Sequence, residues 1–292
     1  MKAPCVMQHE KGCVERSNTC AMSPVVRWWT LPLERKLHWL LRLGVIGCFL
    51  GHGAYGVLTK EAWVPYFGVI GIDRAWAYWL MPWIGVMDIS LGLIMAVVPL
   101  PIGLLHLTVW GLWTAALRPL SGDAVWESVE RAGNYGVPFA FLVLAGVPHS
   151  LRGWFAPVWP SAMRPLTVDS VRVVSWLLRL TTCLLLLGHG ALGALNSTPA
   201  LTAHYASIGL QNITVGGLTL TRVVGGFEII LAVAVLAAPM PGLLISICLW
   251  KMATETLFIT SGALPFEWIE RAGSYMAPLA LYYLVVTQQC RH

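Results

Sequence analysis

The stretch WESVERAGNYGVP (126–138) returns as FEWIERAGSYMAP (266–278), at an offset of 140 residues. Around these motifs, nine of the eighteen positions in 121–138 are identical to those in 261–278. Each copy sets two glutamates and an arginine at the start of an apolar run. A segment that recurs at a fixed spacing predicts an internal duplication.

The duplication extends well beyond this motif. RLGVIGCFLGHGAYG (42–56) matches RLTTCLLLLGHGALG (179–193), and PLP (99–101) matches PMP (239–241). The sequence therefore predicts two copies of one unit, which we name the first repeat and the second repeat. The predicted boundaries are a basic tail at 1–35, the first repeat at 36–148, a linker at 149–171 and the second repeat at 172–288.

The composition excludes an ordinary soluble domain. Hydrophobic residues make up 57% of the chain and charged residues only 11%, whereas about 25% is typical of soluble domains. The fifteen tryptophans are typical of a protein that meets the membrane–water interface. The net charge of +5 is modest. Basic residues concentrate in the N-terminal tail, so a membrane anchor is favoured over nucleic-acid binding.

Eight apolar segments have about the length of roughly 20 residues that a bilayer crossing needs. They are 37–58, 80–98, 101–117, 128–147, 173–195, 220–238, 241–259 and 269–287. Each Pro-x-Pro motif predicts a tight turn between two spans. We expect an all-α integral membrane protein, with eight transmembrane helices forming two parallel-repeat four-helix bundles.

The loops predict the orientation. The tail and the linker carry seven of the 19 Lys and Arg residues, so both termini are expected in the cytoplasm of a multi-pass, bacterial-type inner membrane protein. The loops at 61–79 and 196–217 are too long for simple turns. They predict short interfacial helices on the outer face.

Topology and depth bring the charged residues of each repeat to the outer half of the bilayer. We expect ion pairs between residues four apart, Glu127 with Arg131 and Glu267 with Arg271. We also expect Glu130 to meet a His–Asp pair, and Glu270 to meet the equivalent His–Glu pair. The candidate ligand-binding residues are His52, Asp88, Glu127, Glu130, Arg131, His189, Glu228, Lys251, Glu255, Glu267, Glu270 and Arg271.

Two interpretations of this charged cluster stay open at this point. The cluster either caps and ties helices, or binds a ligand or protons. Lys251 with Glu255 is interpreted as a mutual salt bridge, and the Trp110–Trp113 pair as packing. The cysteines are interpreted as free thiols. A bis-histidine haem site and a His–carboxylate metal site are less favoured, and no catalytic or metal-ligand set is assigned.

The chain resembles the DoxX-like membrane protein family. The resemblance lies in RLGVIGCFLGHGAYG, in GVMD with GGFE, and in ERAGN with ERAGS. Ser274 departs from the pattern, where the first repeat has Asn134. The resemblance implies that the protein takes part in redox processes at the membrane, as an accessory subunit rather than as a catalyst. A quinone is the cofactor that we consider.

The expected partners follow from that resemblance. They are membrane lipid and a redox partner protein, and homo-oligomerisation stays open. A small-molecule or proton-coupled transporter is the alternative function, because parallel repeats and buried His–Glu groups also suit a carrier.

Overall fold

The computed structural model describes residues 28–289. Residues 28–31 belong to a small N-terminal unit, in which the Leu31 amide donates to the Trp28 carbonyl at 3.1 Å. The second compact unit begins at Pro32. The three tail cysteines and Cys290 lie outside the described residues, and Cys48, Cys183 and Cys248 are free thiols in the buried part of the protein.

The described chain is predominantly helical. In the first repeat, the helices are α1 Leu33–Val57, α2 Val64–Val69, α3 Arg74–Val97, α4 Pro101–Leu120, α5 Val125–Glu130 and α6 Ala132–Ala145. A 3-10 turn at Glu61–Trp63 precedes α2. The linker contains α7 Leu151–Trp154 and a second 3-10 turn at Pro160–Ala162.

The second repeat is also helical, with one small hairpin. Its helices are α8 Val168–Ala191, α9 Pro199–Ala206, α10 Leu220–Ala237, α11 Pro241–Thr260, α12 Phe266–Glu270 and α13 Ala272–Gln289. A π-helical turn, Leu192–Asn196, extends α8. Strands β1 Thr214–Val215 and β2 Leu218–Thr219 pair antiparallel.

Among the described residues, five helices are long and apolar enough to cross a membrane, which points to a membrane protein. These five candidate spans are Leu33–Val57, Arg74–Val97, Val168–Asn196, Leu220–Ala237 and Pro241–Thr260. The predicted segments 101–117, 128–147 and 269–287 lie largely within helices but are not among the five. A bilayer crossing needs about 20 residues, and α6 has only 14.

The two ERAG motifs do not begin continuous helices. Arg131 separates α5 from α6 with ψ 9°, and Arg271 separates α12 from α13 with ψ 14°. A regular α-helix needs ψ near −42°. The prediction of unbroken helices through 128–147 and 269–287 was therefore wrong, since each is interrupted at its arginine.

The short helices beside these arginines pack across the repeats. Helix α5 lies against α8, and α12 lies against α1. A Cβ built on Gly51 would lie 2.3 Å from the Glu270 amide nitrogen, and one on Gly188 would lie 2.2 Å from that of Glu130. Glycine is required at both crossings because the backbones approach too closely for any side chain. These crossings carry Glu130 and Glu270 into the opposite repeat.

Candidate functional site

The centre of the protein holds two ion pairs between the repeats, which we name the cross-repeat ion pairs. Arg131 Nη1 donates to Glu270 Oε1 at 2.7 Å. Arg271 Nη1 donates in the same way to Glu130 Oε1. All four side chains are buried. Glu130 and Glu270 were expected to bond the histidine pairs, but they bond arginines because the crossings bring each glutamate to the other repeat.

Arg271 is shared among further carboxylates. Its guanidinium lies 3.2 Å from Glu267 Oε1, as the i, i+4 spacing predicted, and 3.3 Å from Glu255 Oε2. In the first repeat, the predicted Glu127–Arg131 pair was wrong. Glu127 instead accepts from Arg118 Nη1 at 3.2 Å. Arg131 instead bonds Glu270, and the break at Arg131 is not the cause, since Arg271 has the same break and still pairs with Glu267.

Each repeat also contains a histidine paired with a carboxylate. His52 Nδ1 lies 2.8 Å from Asp88 Oδ2. His189 Nδ1 bonds Glu228 Oε2 in the same manner. In both cases Nδ1 is occupied by the carboxylate, so Nε2 is the ring nitrogen left for another partner. Both expected His–carboxylate contacts are therefore present.

The second repeat adds a buried lysine to this arrangement. Lys251 Nζ lies 2.8 Å from Glu255 Oε1 and 3.9 Å from Glu228 Oε1. The Trp250 indole donates to Glu228 Oε1 at 2.9 Å. The expected Lys251–Glu255 pair is confirmed, and it belongs to a continuous network that reaches His189 and Arg271.

A cavity of about 190 Å³ is lined by residues of the first repeat and by Glu270 of the second, and we name it the aromatic cavity. Aromatic and aliphatic side chains form most of its lining, and we name one group of its polar residues the floor. The aromatic walls are Trp63, Tyr66, Phe67, Trp110 and Trp113. The polar floor is His52, Arg131, Asn134 and Glu270. Pockets that combine apolar walls with a few convergent polar groups are typical small-molecule sites.

Three polar atoms on residues of the aromatic cavity are buried without a hydrogen-bond partner among residues 28–289. They are Trp110 Nε1, Arg131 Nε and Glu270 Oε2. Buried polar groups are nearly always hydrogen-bonded in folded proteins. Two donors and one acceptor therefore favour a ligand head group that carries its own hydrogen-bonding oxygens.

The His52 ring is held at the edge of this cavity by an aromatic neighbour. It stacks on Trp63 with the ring centroids 4.5 Å apart and the planes 23° from parallel. Its side chain is 18% exposed. Asp88 bonds the edge of the ring at Nδ1 and Trp63 covers one face, so the imidazole has a defined orientation.

A second cavity of about 350 Å³, the polar cavity, adjoins the first. The two share Trp63, Tyr66, Arg118 and Arg131 as lining residues. Lys60, Glu130, His189, His204, Glu267 and Arg271 also line the polar cavity. Lys60 Nζ lies 3.0 Å from Glu267 Oε2, which adds an ion pair between the loop after α1 and helix α12.

Two groups on the short helices over these cavities have shifted pKa values. Burial lowers the pKa of His204 to about 4, and the positive charge of Arg271 acts in the same direction. Burial raises the pKa of Tyr66 to about 12, although Arg118 opposes the shift. His204 is therefore a neutral imidazole at neutral pH, in edge-to-face contact with Phe258.

Several of these residues were missed from the sequence. Trp63, Tyr66 and His204 lie on the loops that were expected to form short helices, and α2 and α9 do form there. Trp110 and Trp113 were interpreted as packing. The spacing of three between these tryptophans, one helical turn on α4, was the available signal that they share a face. Across residues 28–289, no three His, Cys, Asp or Glu side chains are grouped to hold a metal ion.

Comparison of the chain with protein-family models, with curated proteins and with solved structures gave no match. The site must therefore be interpreted from its own geometry. That geometry consists of an aromatic cavity with unpaired polar atoms, an adjoining polar cavity, and a buried ionic network that joins the repeats.

Proposed function

We propose that this protein is a DoxX-like accessory subunit of the bacterial inner membrane that binds a quinone or a related ring ligand in its aromatic cavity. The observation that carries the proposal is the aromatic cavity itself. A planar ring can stack on Trp63 or Trp113, while its oxygens accept hydrogen bonds from Trp110 or Arg131.

The size of the cavity restricts the ligand class. Pockets for drug-sized ligands measure roughly 300–1,000 Å³, whereas this cavity measures about 190 Å³. It suits a single-ring head group, with any apolar tail extending out of the protein into lipid. Haem is less favoured, because His52 and His189 line different cavities and each is already held by a carboxylate.

The proposed architecture is eight membrane spans in two parallel repeats, with both termini cytoplasmic. Recurring contacts support it. Gly51 lies against Glu270 as Gly188 lies against Glu130, and a His–carboxylate pair joins the first two long helices of each repeat. Gly133 meets Gly273 where the two ERAG motifs cross, since a Cβ on Gly273 would lie 2.7 Å from the Gly133 carbonyl oxygen.

Quenching of tryptophan fluorescence by a decyl-tailed benzoquinone tests the proposed function. Three tryptophans line the cavity, so saturable quenching is expected in the purified protein. His52→Gln should weaken binding by about tenfold, which corresponds to one hydrogen bond of roughly 1.4 kcal/mol. His189→Gln is the matched control, because His189 lies outside the aromatic cavity, and its affinity should be unchanged.

Two results would contradict the proposed function. Quenching that rises linearly without saturation would show only partitioning of the quinone into detergent. Equal losses of affinity in the two histidine variants would show that the aromatic cavity is not the binding site. Mass analysis of lipid extracted from the purified protein provides an independent check, with a quinone expected besides phospholipid.

A proton-coupled carrier is the second candidate, and the polar cavity favours it. Glu130 and His189, which carry side chains able to take up a proton, line this cavity of about 350 Å³. Uptake into proteoliposomes under a pH gradient tests the carrier. Glu130→Gln and Glu270→Gln should both slow the flux, and unchanged flux in both would exclude a proton-coupled role for these glutamates.

A further inference from the structure

In the first repeat, the linker covers the end that carries the Pro-x-Pro turn. The Val158 amide of the linker donates to the Pro99 carbonyl at 2.8 Å, and the His38 ring donates from Nε2 to the Val158 carbonyl at 2.9 Å. One turn further along α1, Arg42 donates from Nε and from Nη2 to two carbonyls at the end of α3, both at 2.8 Å. The linker and the end of α3 therefore supply partners for His38 and Arg42.

At the corresponding end of the second repeat lies a cavity of about 710 Å³, which we name the basic cavity. The first long helices of the two repeats align at an offset of 137 residues, which places Ser175 where the first repeat has His38. At the offset of 140 residues, Pro239 corresponds to Pro99. Ser175 and Pro239 both line the basic cavity. Within residues 28–289, the place that the linker takes in the first repeat is therefore a cavity in the second.

The lining of the basic cavity is positively charged. Within the described chain, its charged lining residues are Arg172 and Arg179. These arginines are seven residues apart on α8, so they share one face of the helix and lie about 10 Å apart along its axis. Arg172 also lies 3.7 Å from Asp169, but the two side chains are 68% and 89% exposed. Such exposed pairs contribute little, so the cavity suits an anion.

Arg179 lacks the carbonyl partners of its counterpart. Arg42 and Arg179 take the same position in their repeats. Each guanidinium lies over a tryptophan, 5.0 Å from the ring centroid of Trp39 and 4.7 Å from that of Trp176. Arg179 Nε is nevertheless buried without a hydrogen-bond partner among residues 28–289. Because buried polar groups are nearly always hydrogen-bonded, this nitrogen favours an acceptor from outside the described chain.

We propose that the basic cavity binds the phosphodiester head group of an anionic phospholipid. Arginine matches the oxygens of a phosphate with a planar fork of donors. Ser175 and Gln288 add neutral donors to the same lining. The proposal concerns a site separate from the aromatic cavity and does not depend on quinone binding.

The surroundings of the basic cavity favour a lipid over a free anion. Val171, Met240 and Val285 also line it and offer apolar contacts to the glycerol and upper acyl chains. Helix α8 is one of the five candidate spans, so the acyl chains can continue along its lipid-facing surface. In the proposed topology this end of the protein faces the cytoplasmic leaflet, where anionic lipids bind basic pockets between spans.

Native mass spectrometry measures the head-group preference. The protein is transferred from micelles that contain equal amounts of phosphatidylglycerol and phosphatidylethanolamine, and one phosphatidylglycerol per chain should stay bound in preference. Arg179→Gln and Arg172→Gln should each weaken its binding by about tenfold, because each removes a charge-assisted hydrogen bond to the phosphate. Arg164→Gln is the matched control. It removes the same charge from an exposed linker position that does not line the cavity, so binding should be unchanged.

Two further measurements do not depend on how Arg179→Gln folds. Arg172 is largely exposed, so Arg172→Gln tests the site in a folded protein. In the unaltered protein, a phosphatidylglycerol with a photoactivatable head group should label the peptides at 168–179 and 285–289. It should not label the first-repeat peptide at 37–45, where the linker lies.

Four results would overturn the proposal. Equal retention of the two lipids would show no preference for an anionic head group. Equal losses in all three arginine variants would show only a general effect of charge. Inorganic phosphate that binds lipid-free protein with the same dependence on Arg172 and Arg179 would show a free-anion site. Cross-links from the cavity to another polypeptide segment instead of lipid would show that protein occupies it.

Discussion

Arg131 of the first repeat donates a 2.7 Å hydrogen bond to Glu270 of the second repeat, 139 residues away in sequence. The reciprocal bond joins Arg271 to Glu130. The arginine of each ERAG motif therefore neutralises the charge of a glutamate in the other motif. The duplicated motif is the joint between the repeats, and one of its two pairs also forms part of the floor of the aromatic cavity.

Breaking one cross-repeat ion pair should destabilise the protein strongly. Removing one partner of a buried pair leaves an uncompensated charge, which costs about 3–5 kcal/mol. Arg131→Gln and Glu270→Gln should each lower the free energy of unfolding by about that amount. The double variant should lose clearly less than the sum. Tryptophan fluorescence during denaturant unfolding in detergent measures all three.

The exposed pair Arg74–Glu61 is the matched control for that cycle. Its N–O distance is also 2.7 Å, but its side chains are 67% and 72% exposed. Exposed pairs contribute about 0–1 kcal/mol, so Arg74→Gln should be almost neutral. Strictly additive losses at Arg131 and Glu270 would contradict direct pairing across the repeats.

The sequence predicts the helical, apolar character of the protein well, but it predicts poorly which charged side chains form ion pairs. The apolar segments, the Pro-x-Pro turns and the His–carboxylate contacts follow from periodicity and from the spacing between repeats. The cross-repeat pairing does not, because a duplication aligns residues within each copy and carries no information on how the copies pack. The break at Arg131 was equally hidden, since neither proline nor glycine marks it.

The cavity illustrates the same limit. Its existence depends on the small side chain of Ala115 and on the placement of Trp63 by the loop after α1. Single residues on a helix do not reveal whether a neighbour fills the space beside them.

Alanine at the glycine crossings should destabilise the protein. A Cβ on Gly188 would lie 2.2 Å from the Glu130 amide nitrogen, which is backbone and cannot move aside. Gly188→Ala and Gly51→Ala should each cost about 1–3 kcal/mol, the range for overpacking a close contact. Thermal unfolding in detergent measures the loss.

Gly226→Ala is the control for the crossings. Gly226 lies on the same kind of helix, and nothing lies within 4 Å of a Cβ built there. Replacing a glycine by alanine inside a helix is expected to stabilise by about 0.5–1 kcal/mol. If all three alanine variants shifted the unfolding temperature in the same direction, close backbone approach would not be the cause.

His204 predicts a specific dependence of stability on pH. Its pKa is lowered from 6.5 to about 4 in the folded protein, so between these values the unfolded state binds more protons. Stability should therefore fall as pH drops from 6.5 toward 4, by up to about 1.4 kcal/mol per pH unit, and should be independent of His204 above that window.

The difference between native protein and His204→Gln isolates this contribution. The variant should lose less stability than the native protein when the pH is lowered from 7.5 to 5. His149→Gln is the control, because His149 is exposed in the loop after α6. Parallel pH profiles for the native protein and His204→Gln would show that the imidazole is not held neutral by its surroundings.

Trp63 should contribute more to ligand affinity than a tryptophan outside the cavity. Ring stacking contributes about 0.5–1.5 kcal/mol beyond buried area, so Trp63→Ala should weaken benzoquinone binding by about tenfold in calorimetric titration. Trp79→Ala is the control, since Trp79 is 57% exposed and does not line either cavity. Equal effects of the two substitutions would place the ligand elsewhere.

The most direct test of the account is an electron cryo-microscopy map of the protein with a decyl-tailed benzoquinone. The account predicts density for one ring per chain between Trp63 and Trp113, with an oxygen within hydrogen-bond distance of Trp110 Nε1 or of the Arg131–Glu270 pair. Density for the ring in the second repeat or on the lipid-facing surface, with the aromatic cavity empty at saturating quinone, would contradict it.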